Sequence, residues 1–312
     1  MNIGIAGAGS IVRELLSVKD KIKGVSFTHI FARRAEVRAE MSEKYSLSAL
    51  DSFEDLLGCD IDAVYIALPN NCHFEYAMRA LDSGKSVILE KPFTKDLAEC
   101  DSLIETAIRK GLFLFEAISN IHTDNIKRIK NETEKERVGS VKISFMQRSR
   151  RYDDFKKGII HPVFDKNKCG GAMYDLGVYA LHLLVYLFGA PVSAEYNAVI
   201  ERDVDVAGSA RLSYEGFDAL LNVSKCEEGE NGIYIECENK TVFSASKLNE
   251  LSHLKIAEKG REESFFGYTG AERLVYQWEH FAEIFERGDL EKASELLSLS
   301  RSVMSVISDI FG

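Results

Sequence analysis

Residues 1 to 120 alternate short apolar runs with amphipathic stretches, and few arrangements other than a parallel sheet covered by helices satisfy that rhythm. Ile3–Ala6 is apolar and stops at Gly7-Ala8-Gly9. Ser10–Lys21 then carries Ile11, Leu15, Leu16 and Val18 at roughly helical spacing. Val25–Phe31 reads as a second strand and Glu36–Lys44 as a polar helix. Ala63–Leu68 is a third apolar run, stopped by Pro69-Asn70. Phe74–Ser83 is helical and closes on Gly84, a residue type that suits the left-handed position after a helix. Val87–Leu89, the helix Asp96–Lys110 ending at Gly111, and Leu112–Phe115 complete the series. Such βα repeats connect through right-handed crossovers.

After residue 120 the pattern changes. Val141, Ile143 and Phe145 alternate with polar residues, as in a half-buried strand. Tyr174–Phe188 reads as a strong helix stopped by Gly189 and Pro191. Ser193–Ile200, Ala207–Tyr214 and Ala219–Ser224 follow as strands, the last two joined by a Glu215-Gly216 turn. Ile233–Cys237 and Thr241–Ser244 flank Asn239-Lys240, and residues 271–287 and 291–311 read as helices. The expectation is an α/β chain of two domains: 1–120, a doubly wound parallel sheet, and 121–312, an α+β domain on a mostly antiparallel sheet.

Composition narrows the function. The chain has 46% hydrophobic and 28% charged residues, as in a globular protein. No run approaches the eighteen or more consecutive apolar residues of a membrane span. Met1 leads almost directly into Ile3–Ala6, so no signal peptide is expected. The six cysteines are scattered, with no C-x-x-C pair to suggest a zinc site; no metal is expected, and the cytoplasm is the expected location. A formal charge of -10 argues against nucleic acid as a partner. It leaves room for an anionic cofactor held by local cations and a helix N-terminus.

Gly7-x-Gly9 lies between a strand and a helix, where a dinucleotide fingerprint belongs. The first glycine permits the tight turn and the second lets the backbone approach a pyrophosphate, with Ser10 and Ile11 opening the helix. The third fingerprint position holds Val12. The second strand ends Phe31-Ala32-Arg33-Arg34, with no carboxylate before Glu36. An arginine there suits a 2′-phosphate and points to NADP ahead of NAD.

Lys91 follows an apolar run at its carboxyl end, where α/β sheets bind ligands. Asp175 and Tyr179 sit four residues apart on one helix face, amid a rich apolar set. A carboxylate in such company is costly unless paired. A phenol there suits proton donation to a carbonyl, with Lys91 and Asp175 tuning it. His182, one turn further, reads as a core histidine.

Four segments resemble the Gfo/Idh/MocA oxidoreductase family: Gly4-Ile5-Ala6-Gly7-Ala8-Gly9, Ala67-Leu68-Pro69-Asn70-Asn71-Cys72-His73, Gly84-Lys85-Ser86-Val87-Ile88-Leu89-Glu90-Lys91-Pro92, and Gly170-Gly171-Ala172-Met173-Tyr174-Asp175-Leu176-Gly177-Val178-Tyr179. The resemblance runs nearly end to end. It implies an N-terminal Rossmann domain and a C-terminal domain whose large open sheet often serves as an oligomer interface, here a homodimer or homotetramer. It implies that Leu68, Pro69, Asn70, His73, Glu90 and Lys91 line the cofactor site, that Asp175 shapes the substrate site, and that Tyr179 relays the proton. Tyr179 and Phe115-Glu116-Ala117 look more like the dihydrodiol dehydrogenase and glucose–fructose oxidoreductase branch. Two positions depart from the pattern: Val12, and Ile118-Ser119-Asn120-Ile121-His122, where an arginine is often found.

The leading expectation is therefore an NADP-dependent dehydrogenase or reductase of a sugar, polyol or related hydroxy-carbonyl compound. A non-catalytic NADP-binding sensor or co-regulator is the alternative. A different Rossmann enzyme with an aldehyde or amino-acid substrate is a third; the scattered cysteines single out no thiol nucleophile, and Cys169 beside Gly170 is the one near the proposed site.

Overall fold

A computed structural model describes residues 1–311. The chain divides into two compact units: Met1–Ala117 with Leu274–Arg301, and Ile118–Arg273 with the end of the chain from Ser302.

The first unit opens with strand β1 (Asn2–Ala6) and helix α1 (Ser10–Ser17). It continues through β2 (Ser26–Phe31), α2 (Ala35–Tyr45), β3 (Ser48–Leu50) and α3 (Phe53–Leu57). Then come β4 (Ala63–Ile66), α4 (His73–Asp82), β5 (Ser86–Glu90), α5 (Leu97–Lys110) and β6 (Leu114–Ala117). The strands form one parallel sheet in the order β3-β2-β1-β4-β5-β6. β4 and β6 are buried at every residue, the pattern of strands covered on both faces. The order reverses direction between β1 and β4, which places the ligand crevice of such a sheet at their carboxyl ends.

The second unit begins with α6 (Asp124–Thr133), β7 (Val138–Met146) and a short α7 (Tyr152–Lys156). A π-helical turn at Met173–Gly177 runs into α8 (Val178–Phe188). Seven strands follow: β8 (Ser193–Glu201), β9 (Val204–Tyr214), β10 (Phe217–Ser224), β11 (Gly232–Cys237), β12 (Lys240–Ser244), β13 (His253–Glu258) and β14 (Arg261–Phe266). With β7 they make an eight-stranded sheet in the order β14-β13-β12-β11-β7-β10-β9-β8, antiparallel except where β7 meets β10. By length and hydropathy alone Lys166–Phe188 could cross a membrane, but 67% of its apolar window is buried inside the protein, as in a core helix.

The last two helices are α9 (Arg273–Glu286) and α10 (Leu290–Phe311). The sequence division at residue 120 leaves both with the second domain. The structure instead groups Leu274–Arg301 with the first unit. The reason is aromatic packing. Trp278 meets the rings of Phe27 and Tyr65 edge-on, each at 5.0 Å, and Phe281 stacks on Phe115 at 4.5 Å. These residues join Val12, Leu15 and Leu16 of α1 in one buried cluster against the parallel sheet.

Candidate active site

In the first unit, the residues assigned to the cofactor collect at the carboxyl ends of β1, β2, β4 and β5. The Gly7 amide donates to the Phe31 carbonyl at 2.8 Å, and the Ala67 amide to that of Ala6 at 2.8 Å. Gly7 has φ +123, and any side chain there would overlap the Ala67 carbonyl oxygen. Only glycine fits this junction. Gly9 is different: it caps α1 in an extended conformation, and a Cβ there would meet nothing within 4 Å. Having no side-chain acceptor, it leaves the first turn of α1 without a side-chain cap, at the positive end of the helix. Val12, at the third fingerprint position, is fully buried in the core and leaves the turn intact.

Arg33 and Arg34 are exposed just past β2, with Arg34 as the residue before α2. Their neighbours are engaged elsewhere. Arg38 donates to the Ala32 carbonyl at 2.7 Å and pairs with Asp51, and Arg13 pairs with Glu40. Leu68, Pro69 and Asn70 are half-buried after β4, and Lys91 is half-buried after β5 and joined to Pro92 by a cis peptide bond. The Glu90 carboxylate accepts the Tyr65 hydroxyl at 2.5 Å.

His73 departs from its expected place. It is 1% exposed, with Nδ1 2.9 Å from the Pro92 carbonyl and Nε2 3.0 Å from the Leu68 carbonyl. Both ring nitrogens therefore face the protein, and the ring braces the loops after β4 and β5 against each other. Burial pushes its pKa down, while the two carbonyls oppose that shift.

In the second unit, the Gly170-Gly171 pair is structural. A side chain at Gly170 would lie 2.6 Å from the Asp165 amide nitrogen, and one at Gly171 (φ +133) would overlap the Asp205 carboxylate. Asp205 is 5% exposed and accepts hydrogen bonds from the Met173 amide at 2.8 Å and the Tyr196 hydroxyl at 2.9 Å. Burial pushes its carboxyl up, and these donors partly offset that. The sequence predicts α-helix from Tyr174, but the first turn is a π-turn, and Met173 Sδ packs where a side chain at Gly177 would lie.

Asp175 and Tyr179 stand at the start of this helix, both half-buried. The Tyr179 ring packs edge-on to Phe145 at 5.8 Å, and its backbone carbonyl accepts from Asn120 Nδ2 at 2.8 Å. That contact gives the departing segment Ile118–His122 a role: all five residues are buried, and Asn120 anchors the tyrosine's backbone. His182 is fully buried, with Nδ1 2.8 Å from the Val178 carbonyl, as a core histidine would be. Cys169 is buried too, which speaks against a nucleophilic role.

One site residue escapes the sequence reading. Lys225, immediately after β10, extends its ammonium to Asp175 Oδ2 at 2.8 Å with 2% of its side chain exposed. The lone available signal is a lysine directly following the strand end Asn222-Val223-Ser224.

Residues 1–118 match the GFO/IDH/MocA oxidoreductase family's NAD-binding Rossmann fold, and residues 126–243 match its C-terminal domain. The chain belongs to the GFO/IDH/MocA oxidoreductase family. Among family relatives, it is 28% identical over 316 residues to scyllo-inositol 2-dehydrogenase (NADP(+)) of Bacillus subtilis, covering 99% of this chain and 95% of that one. It is 27% identical to trans-1,2-dihydrobenzene-1,2-diol dehydrogenase of Mus musculus, covering 98% and 94%. A 3-ketoreductase from Actinomadura kijaniata, solved with TDP-benzene and NADP, superposes with a TM-score of 0.85 at 22% identity over 100% of this chain and 96% of that one. The expected architecture, a doubly wound Rossmann sheet followed by a large, mostly antiparallel one, is thus a family architecture.

Proposed function

We propose that this protein is an NADP-dependent oxidoreductase acting on a carbon that bears a hydroxyl or carbonyl group in a sugar, polyol or related compound. The observation that carries the reading is the first turn of the helix at Asp175. It brings a carboxylate and a phenol to a half-exposed position at the start of an otherwise apolar, buried helix. The names of the relatives support the substrate class: an inositol dehydrogenase, a dihydrodiol dehydrogenase and D-xylose 1-dehydrogenase (NADP(+)) of Hypocrea jecorina.

The residues present fit NADP. The space beside Gly9 and the amides of Ser10 and Ile11 suit a pyrophosphate, which binds at helix N-termini. Arg33 and Arg34 suit the 2′-phosphate. Leu68, Pro69, Asn70, Glu90 and Lys91 would form the nicotinamide end, with His73 holding their loops. When bound, the nicotinamide supplies or accepts the hydride. Tyr179 gives or takes the proton at the substrate oxygen. Lys91, at the nicotinamide end of the first unit, offers an ammonium to negative charge that develops as the hydride moves. Asp175 accepts a substrate hydroxyl and so orients the reacting carbon.

Replacing Arg33 and Arg34 together by alanine tests the cofactor assignment. Hydrogen bonds to charged groups contribute about 1.5–3 kcal/mol, so NADPH affinity falls about 10- to 100-fold while NADH affinity barely changes. Parallel titrations, followed by Trp278 and cofactor fluorescence, read this out; equal losses for both cofactors would contradict it.

We also read the open face of the eight-stranded sheet as the surface through which a homodimer or homotetramer forms. Leu220, Tyr234 and Phe243 project there into a shallow depression of about 630 Å³. Light scattering should give a mass above 35.0 kDa for the wild type and a monomer for Leu220→Glu/Tyr234→Glu. A monomeric wild type removes the reading. All six cysteines are free thiols, consistent with a reducing, cytoplasmic setting. Neither nucleic acid nor membrane is a partner in this reading.

A further inference from the structure

The pairing of β9 with β10 ends at Ala207 and Ser224, and the Lys225 amide then donates to the Val206 carbonyl at 2.8 Å. From there the side chain turns inward. Its ammonium reaches the Val163 carbonyl at 2.6 Å and Asp175 Oδ2 at 2.8 Å, and lies 4.6 Å from the centre of the Phe164 ring. The pair is lopsided: 2% of the lysine side chain is exposed, against 31% of the aspartate.

Stability is a weak reason for a buried Lys225–Asp175 pair here. The surroundings include a buried apolar cluster of Tyr152, Phe155, Phe164, Val204 and Val206. Replacing both members of such a pair by apolar residues is often neutral or stabilising, because a buried ammonium surrenders its hydration, so the pair as a whole adds little to the fold. What the lysine adds is a fixed positive charge behind a carboxylate that faces outward. Its Val163 contact also ties it to the loop whose Val163 carbonyl receives the Gly171 amide at 3.1 Å, just before Asp175.

We infer that Lys225 is the positioning residue of Asp175: it fixes one carboxylate oxygen from the protein side and so sets the angle at which the carboxylate meets the substrate. The inference rests on the oxidoreductase reading and extends it by one residue. Lys225 acts through Asp175 and does not itself touch substrate.

The test is a double-mutant cycle. Asp175→Asn, Lys225→Met and the double variant are compared with wild type by kcat/KM, melting temperature and NADPH affinity. Lys225→Met lowers kcat/KM on the order of 100-fold, the scale of a misplaced contact. The same change in the Asp175→Asn background costs less than about threefold, because the residue it serves is already gone. NADPH affinity stays constant throughout. Lys225→Leu, which likewise removes the donor, replaces the methionine variant if that one does not fold. A Lys225 variant as active as wild type, or an equal loss in both backgrounds, overturns the inference. If wild type turns over no substrate, the oxidoreductase reading has failed, and the crystal structure of the Lys225 variant decides the positioning claim alone. A carboxylate turned from its wild-type rotamer supports it, and an unmoved one overturns it.

Discussion

Replacing Lys91 by alanine will lower kcat/KM by about 10²- to 10³-fold and leave the unfolding transition almost where it is. The two effects separate because they depend on different parts of the same segment. Val87, Ile88 and Leu89 are completely buried and hold β5 in the sheet, whereas Lys91 lies beyond the strand's last residue and is half-buried. Truncating such a side chain changes stability by about 0.5 kcal/mol or less. Removing a preorganised donor aimed at developing negative charge costs about 2.7–4 kcal/mol of transition-state stabilisation. Steady-state kinetics beside a thermal melt reads both quantities. Wild-type kcat/KM in the variant would take Lys91 out of the chemistry.

Gly171→Ala has the largest expected effect on stability. A side chain at φ +133 costs about 1–3 kcal/mol in backbone strain, and it would overlap the Asp205 carboxylate. That carboxylate holds the Met173 amide and the Tyr196 hydroxyl, so pushing it aside leaves buried polar groups unsatisfied at about 1–3 kcal/mol each. With about 2–4 °C lost per kcal/mol, the melting temperature falls on the order of 10 °C. Gly216→Ala is the control. Its φ is +94, but a Cβ there meets nothing within 4 Å, so it pays only the strain. Equal losses at the two positions would mean that Asp205 does not enforce the glycine.

The βα rhythm of residues 1–117 and the Glu215-Gly216 hairpin are legible because local sequence decides them: apolar runs of strand length, glycines after helices, a two-residue turn. β3 is three residues long and mostly exposed, too short to show a period. β14 exposes five of its six residues, so its alternation is hidden. The amphipathic pattern of α9 announces a helix with a buried face, but the partners of that face, Phe27, Tyr65 and Phe115, lie more than 150 residues away.

The candidate site divides in the same way. Gly7, Gly9, Lys91, Asp175 and Tyr179 stand in motifs that can be read along the chain. Lys225 cannot be found that way: a lysine after a strand normally points to solvent, and only the fold reveals the aspartate fifty residues earlier that draws it inward. His73 sits beside Asn70 in sequence, yet its tight packing between Leu68 and Pro92 becomes visible only once two strand ends come together.

The most direct measurement follows an isotope. NADPH deuterated at the transferring position of the nicotinamide is incubated with the protein and a panel of aldoses, keto-sugars and oxidised cyclic polyols, and the products are examined by mass spectrometry. Appearance of deuterium on a carbon that has become hydroxyl-bearing, and its loss in Lys91→Ala and Tyr179→Phe, is the predicted result. Tight NADPH binding with no label transferred to any member of the panel would contradict the account and leave a cofactor-binding protein that does no hydride chemistry on this class of compound.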